Sequence, residues 1–95
     1  MRLEWDDRKN RQNRRKHGIS FEIAQEVFND PFCLTISDRI VGGEERCWTI
    51  GRVVALAIVV VAHTTRDDRG EEVIRILSAR KATPRERRFY EEADN

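Results

Sequence analysis

The sequence is poor in cysteine, proline and glycine, with two, two and five of each among 95 residues. Cys33 and Cys47 form no CxxC pair and no signal-peptide pattern is present, so a reduced cytoplasmic protein is the simplest interpretation. A zinc site made of these thiols with His17 and His63 is open on ligand type, but the spacing matches no known zinc pattern. No disulfide framework is therefore expected.

Long apolar runs are also missing. The longest, Val53 to Ala62, has half of the ~20 residues that a membrane-spanning helix needs, and it predicts a buried strand. The chain contains no internal repeat and no low-complexity linker, and its length is that of one domain. We therefore expect a single domain over residues 1–95 that makes no contact with a membrane.

Neither sign of charge is in excess overall, since 18 basic and 17 acidic residues give a net charge of +1. The charges are segregated, however: residues 1–17 carry +4, residues 18–51 carry −4 and residues 52–95 carry +1. A general nucleic-acid coat would be basic throughout. One end could meet RNA while the acidic middle meets a basic partner, although ordinary solvated faces would give the same pattern.

The composition leaves little apolar surface to spare, because 39% of the residues are hydrophobic and 37% are charged. A short chain also buries a smaller share of its surface than a long one. A partner that binds only the native state would stabilise such a protein.

The first third of the chain predicts a short strand and two helices. Residues 1–5 alternate weakly, and Asp6 can cap a polar helix that ends at Gly18. Ser20 can cap a second helix, whose apolar stripe runs from Phe21 to Phe28 before Asp30-Pro31 ends it.

The rest of the chain predicts four strands and a closing helix. The strands are placed at residues 32–37, 45–51, 56–66 and 72–80, with turns at Gly42-Gly43 and at residues 67–70. Thr83-Pro84 is typical of a helix start, and the helix is expected over residues 85–92. The predicted fold class is α+β: a short N-terminal strand, two helices, an antiparallel meander sheet and a C-terminal helix.

Nothing in the sequence resembles a phosphate-binding glycine loop, a paired-carboxylate hydrolase or a nucleophile elbow. Instead, His63 and Arg66 close the long central strand, and Arg80 and Lys81 close the next. Neighbouring antiparallel strands run in opposite directions, so these two ends need not coincide. A shared site would require the twist of the sheet or the closing helix.

Cations and one titratable group are sufficient for RNA cleavage without a metal ion. Guanidinium groups can stabilise the charge that builds on the phosphate when the 2′-OH attacks it. His63 has a suitable pKa range for proton transfer, and Tyr90 could stack on a base or donate a proton. Simpler interpretations stay open: His63 as a strand-end residue, Arg75 as a solvated side chain, and the arginines of residues 85–88 as a solvated helix face.

Several short blocks of sequence, taken in order, also resemble those of a known protein family. The N-terminal blocks are Trp5-Asp6, Lys9, Asn13, Lys16 to Ile19, Phe21, Ala24, Val27-Phe28 and Asp30-Pro31. The later blocks are Gly43 to Arg46, Ile50-Gly51, Val60 to Thr64, Arg66, Ile74 to Thr83, Glu86-Arg87 and Tyr90. In this order they resemble the BrnT-type toxins of bacterial type II toxin–antitoxin systems over nearly the whole chain.

The resemblance implies a RelE-like fold and a metal-independent endoribonuclease that cleaves RNA and inhibits translation, with no cofactor. It also implies a cognate BrnA-like ribbon-helix-helix antitoxin, whose dimer would bind two toxins in a heterotetramer. Operator DNA would be contacted only through the antitoxin. The alternative is a non-catalytic module that binds the antitoxin or acts as a co-repressor of its operon. A direct DNA-binding repressor is disfavoured, because no helix-turn-helix is present.

The resemblance also ranks the candidate site residues. Arg66 and Arg80 are the first catalytic candidates, and His63 and Lys81 follow. The weaker candidates, for substrate contact or for holding the site together, are Lys9, Glu45, Arg46 and Tyr90. No metal ligand is assigned.

Overall fold

A computed structural model describes residues 1–93; residues 94–95, which end the predicted domain, lie outside the described part. The helices are α1 (Asp7–His17), α2 (Phe21–Ala24), which continues as a 3-10 helix (Gln25–Asn29), and α3 (Pro84–Ala93). The strands are β1 (Arg2–Trp5), β2 (Leu34–Val41), β3 (Glu44–Val53), β4 (Ala57–Asp68) and β5 (Glu71–Lys81).

All five strands form one sheet in the order β1-β5-β4-β3-β2. Strands β2 to β5 are antiparallel neighbours in chain order, whereas β1 pairs with β5 in parallel, with Arg2 opposite Val73. The α+β class is confirmed, but the prediction of an antiparallel meander is wrong for this edge. The chain leaves β1 into helices rather than into a tight turn, so its partner is a strand some seventy residues later, and no local pattern indicates that pairing.

The predicted caps of the helices are present. The Asp6 side chain accepts hydrogen bonds from the backbone N–H groups of Arg8 and Lys9, and Gly18 ends α1 with a φ of 73°. The Ser20 side chain accepts a hydrogen bond from Ile23 N. The second helix differs from its prediction, because α-helical geometry stops at Ala24 and a 3-10 turn follows.

The 3-10 segment lies unusually close to the sheet. A Cβ atom at Gly51 would come within 2.9 Å of both Val27 Cγ1 and the Val27 carbonyl oxygen. Only a residue without a side chain permits this approach, which brings the 3-10 turn down onto β3.

One face of the sheet is covered by α1, α2 and the 3-10 helix, and it is called the helix-covered face below. Its fully buried residues are Ile19, Phe21, Ala24, Val27, Val53, Val59, Val61, Ile76 and Ala79. Asn13 is buried, with 6% of its surface exposed, and its side-chain amide makes two hydrogen bonds to the backbone of Ala79 on β5. Its Nδ2 donates to Ala79 O, and its Oδ1 accepts from Ala79 N. This amide fixes α1 to the sheet.

The second face of the sheet is covered only at one end, where α3 packs on Ile50, Ile58 and Val60 through the ring of Tyr90. The Tyr90 hydroxyl donates to Asp30 Oδ2, which ties α3 to the segment before β2. The uncovered remainder is called the open face. Its members follow from strand alternation and register, since directly paired residues share a face and alternate residues return to it.

Candidate functional site

A row of polar side chains crosses the open face on four neighbouring strands. In register, Arg39 on β2 lies opposite Arg46 on β3, Arg46 lies opposite Thr64 on β4, and Thr64 lies opposite Arg75 on β5. Side chains paired in this way have Cβ atoms roughly 4.5–5.5 Å apart. These four residues, called the arginine row, therefore place three arginines on one face of four neighbouring strands, with Arg39 directly opposite Arg46 and with Thr64 between Arg46 and Arg75.

The arginine row is short of compensating partners. Among residues 1–93, ion pairs form at Arg2, Arg66 and Arg80, while Arg39, Arg46 and Arg75 have none within ion-pair distance. In the same part of the chain, the buried Thr64 Oγ1 has no hydrogen-bond partner. Like charges directly opposite one another destabilise a sheet, and a buried hydroxyl without a partner is costly. A bound anion would relieve the repulsion between the guanidinium groups.

Arg66 lies beside the arginine row, two residues beyond Thr64 on the same face of β4. Its Nη1 is 2.7 Å from Glu4 Oε1 and 3.7 Å from Glu44 Oε2. The hydrogen bond from Arg66 lowers the pKa of Glu4. Arg66 is thus held in place by two carboxylates while about a third of its side chain stays exposed.

Arg80 lies on the same face near α3, opposite Val60 in register. Its two terminal nitrogens bind both oxygens of Glu86, at 2.7 and 2.9 Å, and its guanidinium stands over the Trp48 ring at 5.9 Å. Arg80 lowers the pKa of Glu86 to about 2. Val60 and Arg66 are six residues apart on β4, so Arg80 lies roughly 20 Å from Arg66 along the strand. The two predicted catalytic arginines share a face but cannot contact one phosphate.

His63 lies on the other side of the sheet. It is 2% exposed, its Nε2 is 2.7 Å from Thr49 Oγ1, and its ring meets Phe28 edge-on at 5.1 Å. Burial lowers the pKa of His63. The predicted catalytic candidates His63 and Arg66 therefore lie on different faces of the sheet, because an odd position on β4 points away from the even positions that carry the open face.

Four other predicted site residues also lie away from the arginine row. Lys81 is exposed opposite Val59, on the helix-covered side, and Lys9 is exposed on α1. Glu45 accepts a hydrogen bond from Ser37 Oγ on that same side. Tyr90 is 5% exposed, and burial together with Asp30 raises its pKa, so its ring is not free to stack on a base. Of the weaker candidates, Arg46 alone belongs to the row.

Sequence reasoning missed Arg39, Thr64 and Trp48, and it interpreted Arg75 as a solvated side chain. The alternation of Arg75 with Ile74 and Ile76 assigned it correctly to the face opposite the helix-covered core. What the sequence could not give was the register between strands, which determines whether arginines on different strands lie next to one another.

An apolar groove lies between the arginine row and α3. It has a volume of about 430 Å³ and is lined by Ile36, Trp48, Ile50, Val60, Arg80, Arg85, Glu86 and Phe89. Three of its apolar side chains stay exposed: Ile36 at 44%, Trp48 at 38% and Phe89 at 47%. This surface is called the aromatic groove below.

The described residues offer no candidate metal centre. Within residues 1–93, no group of three or more His, Cys, Asp or Glu side chains is arranged to hold a metal ion, and Cys33 and Cys47 are free thiols. The four side chains considered for a zinc site are therefore not gathered together. Over the same residues, no helix has the length and apolar character needed to cross a membrane.

Comparison with known proteins gives one result that covers most of the chain. None of the curated proteins matches it. Residues 5–86 match the family model described as the ribonuclease toxin BrnT of type II toxin–antitoxin systems. The matched range includes the whole arginine row, Arg66, Arg80 and every strand except most of β1. The chain therefore belongs to the BrnT family of ribonuclease toxins from type II toxin–antitoxin systems.

Proposed function

We propose that this protein is a metal-independent endoribonuclease that binds the RNA backbone on its open face and inhibits translation by cleaving RNA. The observation that carries the proposal is the arginine row, in which three arginines on neighbouring strands have no carboxylate within ion-pair distance among the described residues, although Glu4 on β1 lies opposite Arg75 in register. Guanidinium groups match the geometry of phosphate oxygens and stay charged at every physiological pH.

The position of Arg66 supports a catalytic role. It stands beside the row, two residues beyond Thr64, and is fixed by Glu4 and Glu44, so its guanidinium is oriented before RNA binds. A donor that is already oriented can stabilise the negative charge that develops on the phosphate as the 2′-OH attacks.

We assign proton transfer to a carboxylate beside Arg66 rather than to His63. Glu4 accepts a direct hydrogen bond from Arg66 and its pKa is lowered, so it is a poor base. Glu44 makes a longer contact of 3.7 Å, which leaves its oxygens available. The 2′-OH would pass its proton to Glu44, and the leaving 5′ oxygen would take a proton from water. The products are a cyclic phosphate and a free 5′-OH.

The family implies an antitoxin partner. We propose a BrnA-like ribbon-helix-helix antitoxin, whose dimer binds two toxins in a heterotetramer and alone contacts operator DNA. We further propose that the toxin forms one RelE-like domain and acts in the cytoplasm. The helices packed on one face of an otherwise antiparallel sheet support the RelE-like assignment, because they leave the opposite face open for RNA.

The test is RNA cleavage by purified protein in excess chelator. We expect cleavage to continue, with cyclic phosphate ends, and Arg46→Ala and Arg75→Ala each to reduce it roughly 100-fold by removing a contact to the transition state. Arg15→Ala is the matched control, because Arg15 is an exposed arginine of α1 on the helix-covered side.

Cleavage that needs added magnesium would contradict the metal-independent mechanism. Full cleavage by folded Arg46→Ala and Arg75→Ala proteins would contradict the role of the arginine row. A folded protein that binds its antitoxin but leaves every RNA intact would establish the alternative, a non-catalytic co-repressor.

A further inference from the structure

The aromatic groove is directly next to the arginine row. Trp48 lies two residues from Arg46 on the same face of β3, so the indole is roughly 7 Å along the strand from the row. Opposite Trp48 in register is Ala62, which adds only a methyl group to this part of the face. The small side chain leaves space between the indole, the row and α3.

The core explains only part of the apolar lining of the groove. The second core cluster consists of Ile50, Ile58, Val60 and Tyr90, and only Ile50 and Val60 of these line the groove. Phe89, one residue before Tyr90, instead turns its ring out of the core at 47% exposure. A chain with 37% charged residues thus presents a tryptophan and a phenylalanine to solvent on the two sides of one groove.

The charges around the groove indicate what fits into it. Arg80 stands over the Trp48 ring and Arg85 lines the same groove, while Glu86 is already neutralised by Arg80. The surroundings therefore favour an apolar, flat group attached to an anionic chain. A nucleobase with its flanking phosphates has this combination, since every base presents a π-face that can stack on an aromatic side chain.

We propose that the aromatic groove is a subsite for one unpaired base of the RNA whose phosphates lie on the arginine row. The base stacks against Trp48 and Phe89, and the subsite selects single-stranded over double-stranded RNA, because a base within a duplex cannot leave its stack without cost. This inference rests on the proposed function, of which it names the substrate class.

Trp48 itself can report the binding of a base. The chain has two tryptophans, and Trp5 lies on the helix-covered face with its ring edge-on to Phe21 at 6.1 Å. A Trp5→Phe protein therefore has a single indole, in the groove. Its fluorescence is titrated with three probes of equal length that lack a free 2′-OH and cannot be cleaved: a single-stranded 2′-O-methyl RNA, the same backbone without bases, and a 2′-O-methyl duplex.

The single-stranded probe should quench Trp48 and bind roughly 5- to 150-fold more tightly than the abasic probe, as expected for loss of one stacked base. Phe89→Ala should weaken binding of the single-stranded probe by a similar factor and leave binding of the abasic probe unchanged. Phe32→Ala is the matched control, since Phe32 is exposed to a similar extent, at 55%, and lies outside the groove. It should leave the binding of both probes unchanged.

Equal affinity for the single-stranded and abasic probes, with unchanged Trp48 fluorescence, would overturn the inference. So would a Phe89→Ala protein that loses antitoxin binding but keeps its affinity for single-stranded RNA, because the groove would then belong to the antitoxin. Cleavage assays separate the two proposals. Base-dependent quenching in a protein that never cleaves RNA would support the subsite and contradict the proposed nuclease activity. RNA cleavage without base-dependent binding would support the nuclease activity and contradict the subsite.

Discussion

At the scale of single residues, the arginines of the open face are of two kinds. Arg39, Arg46 and Arg75 have no ion-pair partner among residues 1–93, whereas Arg66 and Arg80 are held by carboxylates. An arginine without a partner is free to bind a phosphate, but it is mobile. A paired arginine is oriented, but its carboxylate partner competes with the phosphate. Removing the carboxylate should therefore tighten RNA binding, whereas removing the arginine should reduce RNA cleavage.

The two paired arginines can be tested against their partners. Arg66→Ala and Arg80→Ala should each reduce the rate of RNA cleavage. If the guanidinium removed contacts the transition state, the reduction should be roughly 100-fold. Glu86→Gln frees Arg80 from its carboxylate and should tighten RNA binding. Arg87→Ala, on the exposed side of α3, should stay fully active. Cleavage rates and melting temperatures are measured together for each variant.

Arg80 also has an architectural interpretation, because its pair with Glu86 connects β5 to α3. If that connection is its whole role, Arg80→Ala and Glu86→Gln should lower the melting temperature alike, and neither should change RNA binding by the folded protein. A folded Arg66→Ala protein with wild-type cleavage would remove Arg66 from the mechanism.

His63 should make the stability of the protein depend on pH in a defined window. Burial lowers its pKa from 6.5 in the folded state, so the unfolded chain binds a proton more readily. Stability is therefore fully present above pH 6.5 and falls as the pH drops from there towards the lowered folded pKa. The stabilising Glu86 contact is lost only below pH 4.5, outside this window. Melting temperatures measured from pH 7.5 to pH 5 should show the decline.

His63→Gln should remove most of that pH dependence, even if the variant is less stable at pH 7.5. His17→Gln is the matched control, because His17 is exposed at the end of α1, and it should keep the decline. A His63→Gln protein that keeps its cleavage rate would also agree with the placement of the imidazole away from the arginine row. A decline that persists unchanged in His63→Gln would assign the titration to another group.

At the scale of elements, the 3-10 helix approaches β3 so closely at Gly51 that a Cβ atom there would clash with Val27. Gly51→Ala would place a Cβ 2.9 Å from the Val27 carbonyl oxygen, and a backbone atom cannot move away as a side chain can. We expect a loss of about 1–3 kcal/mol in the free energy of unfolding. For a domain of this size the melting temperature should fall by roughly 4–8 °C for each kcal/mol.

Val27→Ala in the same background separates the two clashes at Gly51. It removes the Cγ1 contact and leaves the carbonyl in place. The double variant should therefore lose less stability than the sum of the losses of the two single variants, but it should remain less stable than Val27→Ala alone. A Gly51→Ala protein that melts at the wild-type temperature would show that the 3-10 turn can shift away from the sheet.

The elements were predictable where their signals are local. Asp6, Gly18 and Ser20 indicated the helix ends, and Gly42-Gly43 indicated the turn between β2 and β3. The parallel pairing of β1 was not predictable, because it joins segments far apart in sequence. Site residues followed the same rule: Arg46, Arg66 and Arg80 were named from the sequence, but the arginine row depends on register, which no single strand contains.

At the scale of the whole molecule, the sheet separates two tasks. The helix-covered face contains the larger core and His63, and the open face contains the arginine row and the aromatic groove. Stabilising residues and candidate RNA-binding residues therefore alternate along the same strands. Substitutions at neighbouring positions near the arginine row should accordingly have different effects, on folding at His63 and on RNA at Arg66, whereas the even positions Ile58 and Val60 belong to the second core cluster.

The open face should give RNA binding a defined salt dependence. Each phosphate contacted by a basic side chain adds about −0.7 to the slope of log K against log salt concentration for single-stranded nucleic acid. Arg39→Ala, Arg46→Ala and Arg75→Ala should each reduce the magnitude of the slope by about that amount. The slope is obtained by titrating uncleavable RNA at several salt concentrations, and Arg15→Ala serves again as the control. An unchanged slope in all three row variants would place the RNA elsewhere on the protein.

The parallel pairing of β1 also sets an order of events during synthesis. β1 leaves the ribosome before every other element, yet its partners are residues Val73 to Ile76. Closing a loop of that length is entropically costly and waits until β5 has emerged. The contact between Glu4 and Arg66 depends on the same late pairing. A nascent chain interrupted before residue 73 has neither a complete β5 nor Arg75, so the proposed RNA-binding face is complete only after the last strand of the sheet has been translated.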